Sequence, residues 1–141
     1  MIVRQPLLFI PPPRPRSGPT NPTRPTDFNV VIRNQDDHTK NISFLMDRQG
    51  KWNLSPAYDM GFAYNPKGGW TAQHKMSING KFDDIYRNDL LEFARRNNIK
   101  EAVEIIDRIT EVSSHWPLIA KECGVPRHMI DAIVQDLKLS I

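Results

Sequence analysis

Apolar residues recur every three or four positions in the second half of the chain, which is the spacing of helices with one buried face. Asn88 is predicted to cap one such helix, which ends at Asn97-Asn98. A longer helix follows, and Pro117 must kink or restart it because proline lacks the N–H that a helix interior needs. The apolar positions are Leu90, Leu91, Phe93 and Ala94 in the first, and Ala102, Ile105 or Ile106, Ile109, Val112 and Trp116 in the second.

A last helix is predicted to run to about Lys138. Gly124 suits the left-handed end of the preceding helix, and Pro126 suits the first turn of this one. Its buried positions are Met129, Ile130, Ile133, Val134 and Leu137. The tryptophans Trp52, Trp70 and Trp116 are expected to anchor the core or a hairpin.

The first half of the chain shows short apolar runs between polar turns. Thr26 or Asp27 can cap a short helix that continues through Phe28, Val30, Val31 and Ile32. The residues that follow, 34–41, are polar and predict a loop.

A β-hairpin is predicted after this loop. Residues 42–46 suit a mostly buried strand, 52–54 suit a second strand, and 47–50 read D-R-Q-G, a turn. Residues 60–86 carry turn signals around one short strand near 75–78. The pattern therefore predicts an α+β fold that is predominantly α-helical, with a small β-hairpin.

Proline dominates the start of the chain, where eight of the twelve prolines fall within the first 25 residues. Residues 1–26 are therefore predicted to form an extended or disordered tail, and residues 27–141 to form the domain. This tail holds four arginines and no acid, which leaves 15 basic and 16 acidic residues in 27–141. The domain itself gives no electrostatic reason to expect nucleic acid.

Cysteine content and hydropathy exclude several classes of protein. Cys123 is the single cysteine, so neither a disulfide framework nor a cysteine-based zinc site is expected. No apolar run approaches the roughly 18 residues of a membrane span. We expect a cytoplasmic protein with no membrane partner.

Candidate chemistry lies in N-Q-D-D-H-T-K-N, residues 34–41, and in S-P-A-Y-D, which ends at Asp59. Phosphoryl transfer needs a carboxylate near the attacking hydroxyl and oxygen ligands for Mg²⁺. Asp36 can orient or deprotonate the hydroxyl, and Asn41 and Asp59 can supply the ligand oxygens. Lys40 is placed to contact a phosphate.

Two other interpretations of the loop stay open. Asp36, Asp37 and His38 also suit a solvated turn, because Asp bonds to nearby backbone groups. A His/Asp transition-metal site is weaker, since His74, His115 and His128 show no ligand spacing relative to His38. A protein-kinase catalytic loop has the same Asp-x-x-x-x-Asn spacing, followed by a hairpin and a metal-binding Asp, which favours phosphoryl transfer.

Three stretches carry a resemblance to a known family. They read F-N-V-V-I-R-N-Q-D-D-H-T-K-N at 28–41, F-L-M-D-R-Q-G-K-W-N-L-S-P-A-Y-D at 44–59, and Y-N-P-K-G-G-W-T-A-Q-H-K-M-S-I-N-G-K at 64–81. Together they resemble the C-terminal lobe of the HipA family, bacterial serine/threonine kinases that act as toxins in toxin–antitoxin pairs. The resemblance covers about 27–141 and implies a protein-kinase-like C-terminal lobe.

The resemblance also implies roles for individual residues. Asp36 would be the catalytic base, Asn41 and Asp59 would bind Mg²⁺, and His38, Lys40 and Asn41, with Tyr58, would contact ATP. The implied partners are an antitoxin of the HipB type, through which alone DNA would be contacted, and a protein substrate. In some members that substrate is a translation factor such as an aminoacyl-tRNA synthetase.

The sequence departs from the complete kinase pattern. No glycine-rich phosphate loop or strand lysine precedes Asp36, and Gly68 and Gly69 follow the metal-binding Asp instead. We therefore expect the chain to hold the base and the metal ligands but to have little or no activity alone. The alternative is a non-catalytic lobe that binds either an antitoxin or a separate N-terminal half.

Residues 116–137 leave a third function open, a helix-turn-helix that binds DNA. The spacing of Ala120, Gly124, Val125, Ile130 and Ile133 matches two short crossing helices. The second helix would contact DNA through Pro126, Arg127, His128, Asp131 and Gln135. Only Arg127 among these is reliably cationic, so affinity for phosphates should be poor.

Overall fold

A computed structural model describes residues 23–141. Of the predicted tail 1–26, residues 1–22 lie outside this part of the chain, and the prediction is wrong for residues 23–26, which belong to a helix. The described chain is rich in helix and has one two-stranded antiparallel sheet, which confirms the α+β class. In chain order the elements are α1 (Thr23–Val31), a 3₁₀ turn (Thr39–Asn41), β1 (Phe44–Met46), β2 (Trp52–Leu54), α2 (Arg87–Arg96), α3 (Ala102–Ser114), α4 (Trp116–Glu122) and α5 (Arg127–Asp136).

Helix α1 joins two apolar clusters. Its Val30 is fully buried in one cluster, and its Phe28 packs against the other. The first cluster consists of Val30, Ile78, Ile85, Leu90 and Ile106, and the second is centred on Trp116, Ala120 and Ile130. The loop that follows α1 therefore starts from a helix fixed in the core.

Two helices begin elsewhere than predicted. Helix α1 starts at Thr23, so Thr26 and Asp27 lie inside it and do not cap it. Proline is tolerated in its first turn because the N–H groups there need no helical acceptor. Helix α2 starts at Arg87, one residue before the predicted cap, because the Asp89 carboxylate accepts the N–H of Tyr86 at 3.0 Å.

The breaks between the last helices agree with prediction. The chain restarts as α4 at Trp116, with Pro117 in its first turn. Gly124 has a φ of 75° and closes α4, while the Val125 N–H bonds the Ala120 carbonyl at 2.9 Å. Helix α5 begins at Arg127, so Pro126 is its N-cap and not a first-turn residue as predicted, and the helix ends at Asp136 rather than near Lys138.

The hairpin has the predicted turn but not the predicted burial. Phe44 pairs with Leu54 and Met46 pairs with Trp52. The exposed fractions are 59% for Phe44, 57% for Met46 and 63% for Trp52. The prediction of a mostly buried first strand is wrong, because no other sheet or helix of residues 23–141 covers the hairpin.

Two smaller expectations also need correction. The strand predicted near 75–78 is reduced to an isolated bridge between Ile78 and Lys81, which closes the Asn79-Gly80 turn. Of the predicted tryptophan anchors, Trp116 is buried, but Trp70 is 63% exposed, as Trp52 is.

Candidate functional site

The loop 34–41 and the segment after Asp59 are held together at the end of α1. Asn34 and Ala63 form a parallel bridge, and the Gln35 N–H donates to the Ala63 carbonyl at 3.0 Å. The Asn34 side chain also donates to the Asn29 side chain at 3.0 Å and to the Asp59 carbonyl at 3.3 Å. These bonds bring the two predicted motifs together in space.

Asn41 is oriented by the backbone of the predicted base. Its Nδ2 donates to the Asp36 carbonyl oxygen at 3.0 Å. Because a carbonyl can only accept, this bond fixes which end of the amide is nitrogen. The Oδ1 of Asn41 therefore remains available as a ligand oxygen.

Asp59 lies in the left-handed backbone region, with a φ of 54°. This region is uncommon for residues other than glycine, although Asp tolerates it better than most. Next to it, the Tyr58 hydroxyl donates to the Lys40 carbonyl at 2.9 Å, which ties the end of the hairpin to the loop.

A cavity of about 230 Å³ lies between the loop and the hairpin. Four predicted site residues line it: His38, Asn41, Tyr58 and Asp59. Its apolar wall includes Phe44, Leu54, Pro56 and Met76. Asp36 and Lys40 are not among the lining residues, so the structure brings four of the six predicted site residues to one cavity.

Asp36 instead contacts an aromatic side chain that the sequence did not point to. The indole Nε1 of Trp70 donates to Asp36 Oδ1 at 2.6 Å. His38 Nε2 lies 3.6 Å from the same oxygen, and the Lys75 ammonium lies 4.6 Å from the centroid of the Trp70 ring. Trp70 follows Asp36 by 34 residues, and no local pattern links the two.

Asp37 is buried, so the interpretation of residues 36–38 as a solvated turn is wrong for this residue. Its Oδ2 lies 2.8 Å from His74 Nδ1, and its Oδ1 accepts the Lys75 N–H at 2.6 Å. Burial alone would raise the pKa of the Asp37 carboxyl. The bonds from His74 and from the backbone N–H groups of Lys75 and Met76, with the charge of His74, outweigh burial and lower that pKa.

The proposed metal ligands in the cavity, Asn41 and Asp59, offer one neutral and one anionic group of oxygen donors. Within residues 23–141, no three His, Cys, Asp or Glu side chains form a group that could hold a metal ion. Asn41 and Asp59 nevertheless suit Mg²⁺, which binds oxygen and usually takes one or two protein carboxylates with phosphates and water. The residues present therefore fit a metal that arrives with a nucleotide.

The predicted helix-turn-helix residues form a packed helix pair. Ala120 of α4 and Ile130 of α5 are buried in the same cluster. On the outer surface of α5, Arg127 pairs with Asp131 at 3.4 Å, which offsets its charge toward a phosphate. DNA binding stays a prediction.

The structure thus defines a helix-rich α+β domain whose hairpin carries Asp59 to a cavity beside an Asp-x-x-x-x-Asn loop. Residues 22–138 match the family model described as HipA-like C-terminal domain. The chain therefore belongs to the HipA-like family, and the resemblance seen in its three motifs is confirmed. No curated protein and no solved structure gives a significant match. In the described part of the chain, no helix is long and apolar enough to span a membrane.

Proposed function

We propose that this chain forms the C-terminal lobe of a serine/threonine kinase and supplies its catalytic base and two Mg²⁺ ligands. The observation that carries the proposal is that Asn41 and Asp59 line one cavity while Asn41 bonds the backbone of Asp36. These two observations support a site in which both proposed metal ligands lie near the proposed base, because phosphoryl transfer depends mainly on positioning.

In the proposed step, Asp36 accepts the proton of a protein hydroxyl. The hydroxyl oxygen bonds to the terminal phosphorus of ATP, the bond from that phosphorus to its bridging oxygen breaks, and ADP leaves. Mg²⁺, when bound, neutralises charge on the phosphates. Asn41 Oδ1 and the Asp59 carboxylate would hold the metal, and His38 and Lys40 would contact the phosphates.

The apolar wall of the cavity supports nucleotide binding. Phe44, Leu54 and Met76 line the same cavity as Tyr58, Asn41 and Asp59. A planar base can pack on this wall while its phosphates reach the ligand oxygens. Family membership also supports a toxin role, with an antitoxin of the HipB type as partner.

Isothermal titration calorimetry with ATP, with and without Mg²⁺, tests this proposal. We expect Mg²⁺-dependent binding, weakened about tenfold or more in Asp59→Ala because a charged ligand is lost. Asp131→Ala is the matched control, since Asp131 is an exposed carboxylate on α5 that does not line the cavity. Binding that ignores Mg²⁺, or that survives in Asp59→Ala, would contradict the proposed site.

A non-catalytic binding lobe is the second candidate, and the hairpin favours it. The exposed side chains of Phe44, Met46 and Trp52 lie on one face of the hairpin, since cross-strand partners share a face. Exposed apolar surface of this kind marks interaction sites. This function would be supported if the double variant Met46→Glu/Trp52→Glu no longer binds a purified antitoxin of the HipB type, whereas Asp59→Ala still binds it.

A further inference from the structure

Trp70 is an exposed residue whose indole N–H group is hydrogen-bonded within the protein. The side chain is 63% exposed, yet its indole N–H donates to Asp36 Oδ1 at 2.6 Å. Neither residue lines the cavity that holds Asn41 and Asp59. Trp70 therefore contacts the proposed base from outside the proposed metal and nucleotide site.

The loop that carries Trp70 is fixed before any ligand arrives. The Asn65 side chain donates to the Gly68 carbonyl at 2.7 Å, and the Asn65 N–H donates to the Thr71 carbonyl at 3.1 Å. Gly68 and Gly69 have φ values of 103° and 90°, which allow this tight path. The Lys75 N–H is bonded in turn to the buried Asp37 carboxylate.

The two oxygens of the Asp36 carboxylate differ in their hydrogen bonding. Oδ1 accepts the indole N–H, with His38 Nε2 3.6 Å away. No donor among residues 26–141, the part of the chain whose side chains are described, is bonded to Oδ2. A carboxylate held by one oxygen keeps a fixed orientation and presents the other oxygen to an incoming donor.

We propose that Trp70 is a positioning residue for Asp36, on the side of the site where the acceptor hydroxyl arrives. The indole N–H holds Oδ1, and Oδ2 is left to accept the hydroxyl proton. The Lys75 ammonium over one face of the ring helps to fix its plane. This inference rests on the proposed function, because it assigns an orientation to the proposed base.

Hydrogen exchange of the three indole N–H groups, followed by ¹H–¹⁵N NMR on the full chain, tests the proposal. Trp70→Phe and Trp52→Phe assign the resonances. Trp52 is a matched internal reference, since this residue is also 63% exposed. We expect the Trp70 indole to exchange about tenfold or more slowly than that of Trp52, the ratio expected for a bond to a charged acceptor.

Substitution of the base should remove this protection. In Asp36→Ala the Trp70 indole should exchange as fast as that of Trp52, whereas Asp59→Ala should leave its protection intact. Equal exchange of the two indoles in the unmodified chain, or protection that persists in Asp36→Ala, would overturn the proposal.

Calorimetry separates this inference from the proposed function. Trp70→Phe keeps the ring but lacks the donor, and its affinity for Mg·ATP should stay within about twofold of the unmodified chain. A tenfold loss of that affinity would place Trp70 at the nucleotide and would also overturn the proposal. If the unmodified chain binds no Mg·ATP, the proposed function fails while the exchange measurement still decides the orientation of Asp36.

Discussion

His74 Nδ1 lies 2.8 Å from Asp37 Oδ2, and the two side chains are only 2% and 4% exposed. The pair joins the loop 34–41 to the segment 64–81. Because Asp37 directly follows Asp36, the contact also fixes the backbone of the proposed base.

Removing the charge of Asp37 should destabilise the fold. In Asp37→Asn the buried His74 loses its carboxylate partner, and we expect the free energy of unfolding to fall by about 3 kcal/mol. Urea denaturation at neutral pH measures it. Asp83→Asn is the control, because Asp83 is 47% exposed and 3.8 Å from Arg33, and it should change stability by less than about 1 kcal/mol. Equal losses of stability in Asp37→Asn and Asp83→Asn would contradict the argument that burial makes the Asp37 contact important.

The contribution of Asp37 should disappear in acid. Its pKa is lowered in the folded state, so its contribution is fully present above the unfolded pKa of about 3.9 and is lost as pH falls through the folded pKa. The stability difference between the unmodified chain and Asp37→Asn should therefore shrink below about pH 4. A difference that grows on acidification would mean that the folded pKa is raised.

The Asp89 carboxylate should make a second contribution to stability that is lost in acid. Burial would raise its pKa, but bonds from Asn79, the Tyr86 N–H and Lys81 lower it to about 2. Asp89→Asn loses the charged cap of α2 and its bond to Lys81, and we expect about 2 kcal/mol less stability at neutral pH. The effect should fade between about pH 4 and pH 2.

Chemical denaturation of Asp89→Asn and Asp107→Asn side by side checks this prediction. Like Asp89, Asp107 pairs with a basic side chain, that of Arg87, at 2.6 Å, but the side chain of Asp107 is 59% exposed. Its replacement should cost less than about 1 kcal/mol. A cost for Asp107→Asn that equals or exceeds that of Asp89→Asn would count against the cap.

The backbone of Asp59 allows a test of strain without the carboxylate. Asp59→Ala and Asp59→Gly both lack the proposed ligand, but only Gly adopts a φ of 54° without steric cost. We expect the Gly variant to be more stable than the Ala variant by about 1 kcal/mol, measured by thermal unfolding. Equal stability would show that this conformation is not held in solution.

The exposed face of the hairpin should promote self-association. Met46→Lys combined with Trp52→Lys should lower the weight-average mass in sedimentation velocity at high protein concentration, with little change in Tm, because neither side chain is buried. Leu118→Lys is a matched control, since Leu118 is 61% exposed on α4. A monomeric unmodified chain would contradict this expectation.

Local signals explain what could be predicted from the sequence. The D-R-Q-G turn, the restart at Pro117 and the end at Gly124 each follow from residues next to one another, and the structure agrees with all three. The order of the motifs, a loop followed by a hairpin and an Asp, is that of a protein kinase, and it predicted that Asn41 and Asp59 lie close together. That placement needed only the hairpin between them.

Contacts distant in sequence explain what could not be predicted. Trp70 reaches Asp36 over 34 residues, and His74 reaches Asp37 over 37. Both lie in a segment without regular helix or strand, where no periodicity indicates which side chain turns inward. Burial of the hairpin was predicted wrongly for a related reason: an apolar run shows that a surface can be covered, not that anything covers it.

The division between a buried helical core and an exposed hairpin has a consequence for cooperativity. Of the residues from Thr39 to Met60, none is buried, whereas α1 to α3 share a packed cluster. Segments with few buried contacts open at lower free energy than the whole domain. The segment from Thr39 to Met60 can therefore open locally while the helices stay folded, and a ligand bound to both Asn41 and Asp59 would stabilise its closed form.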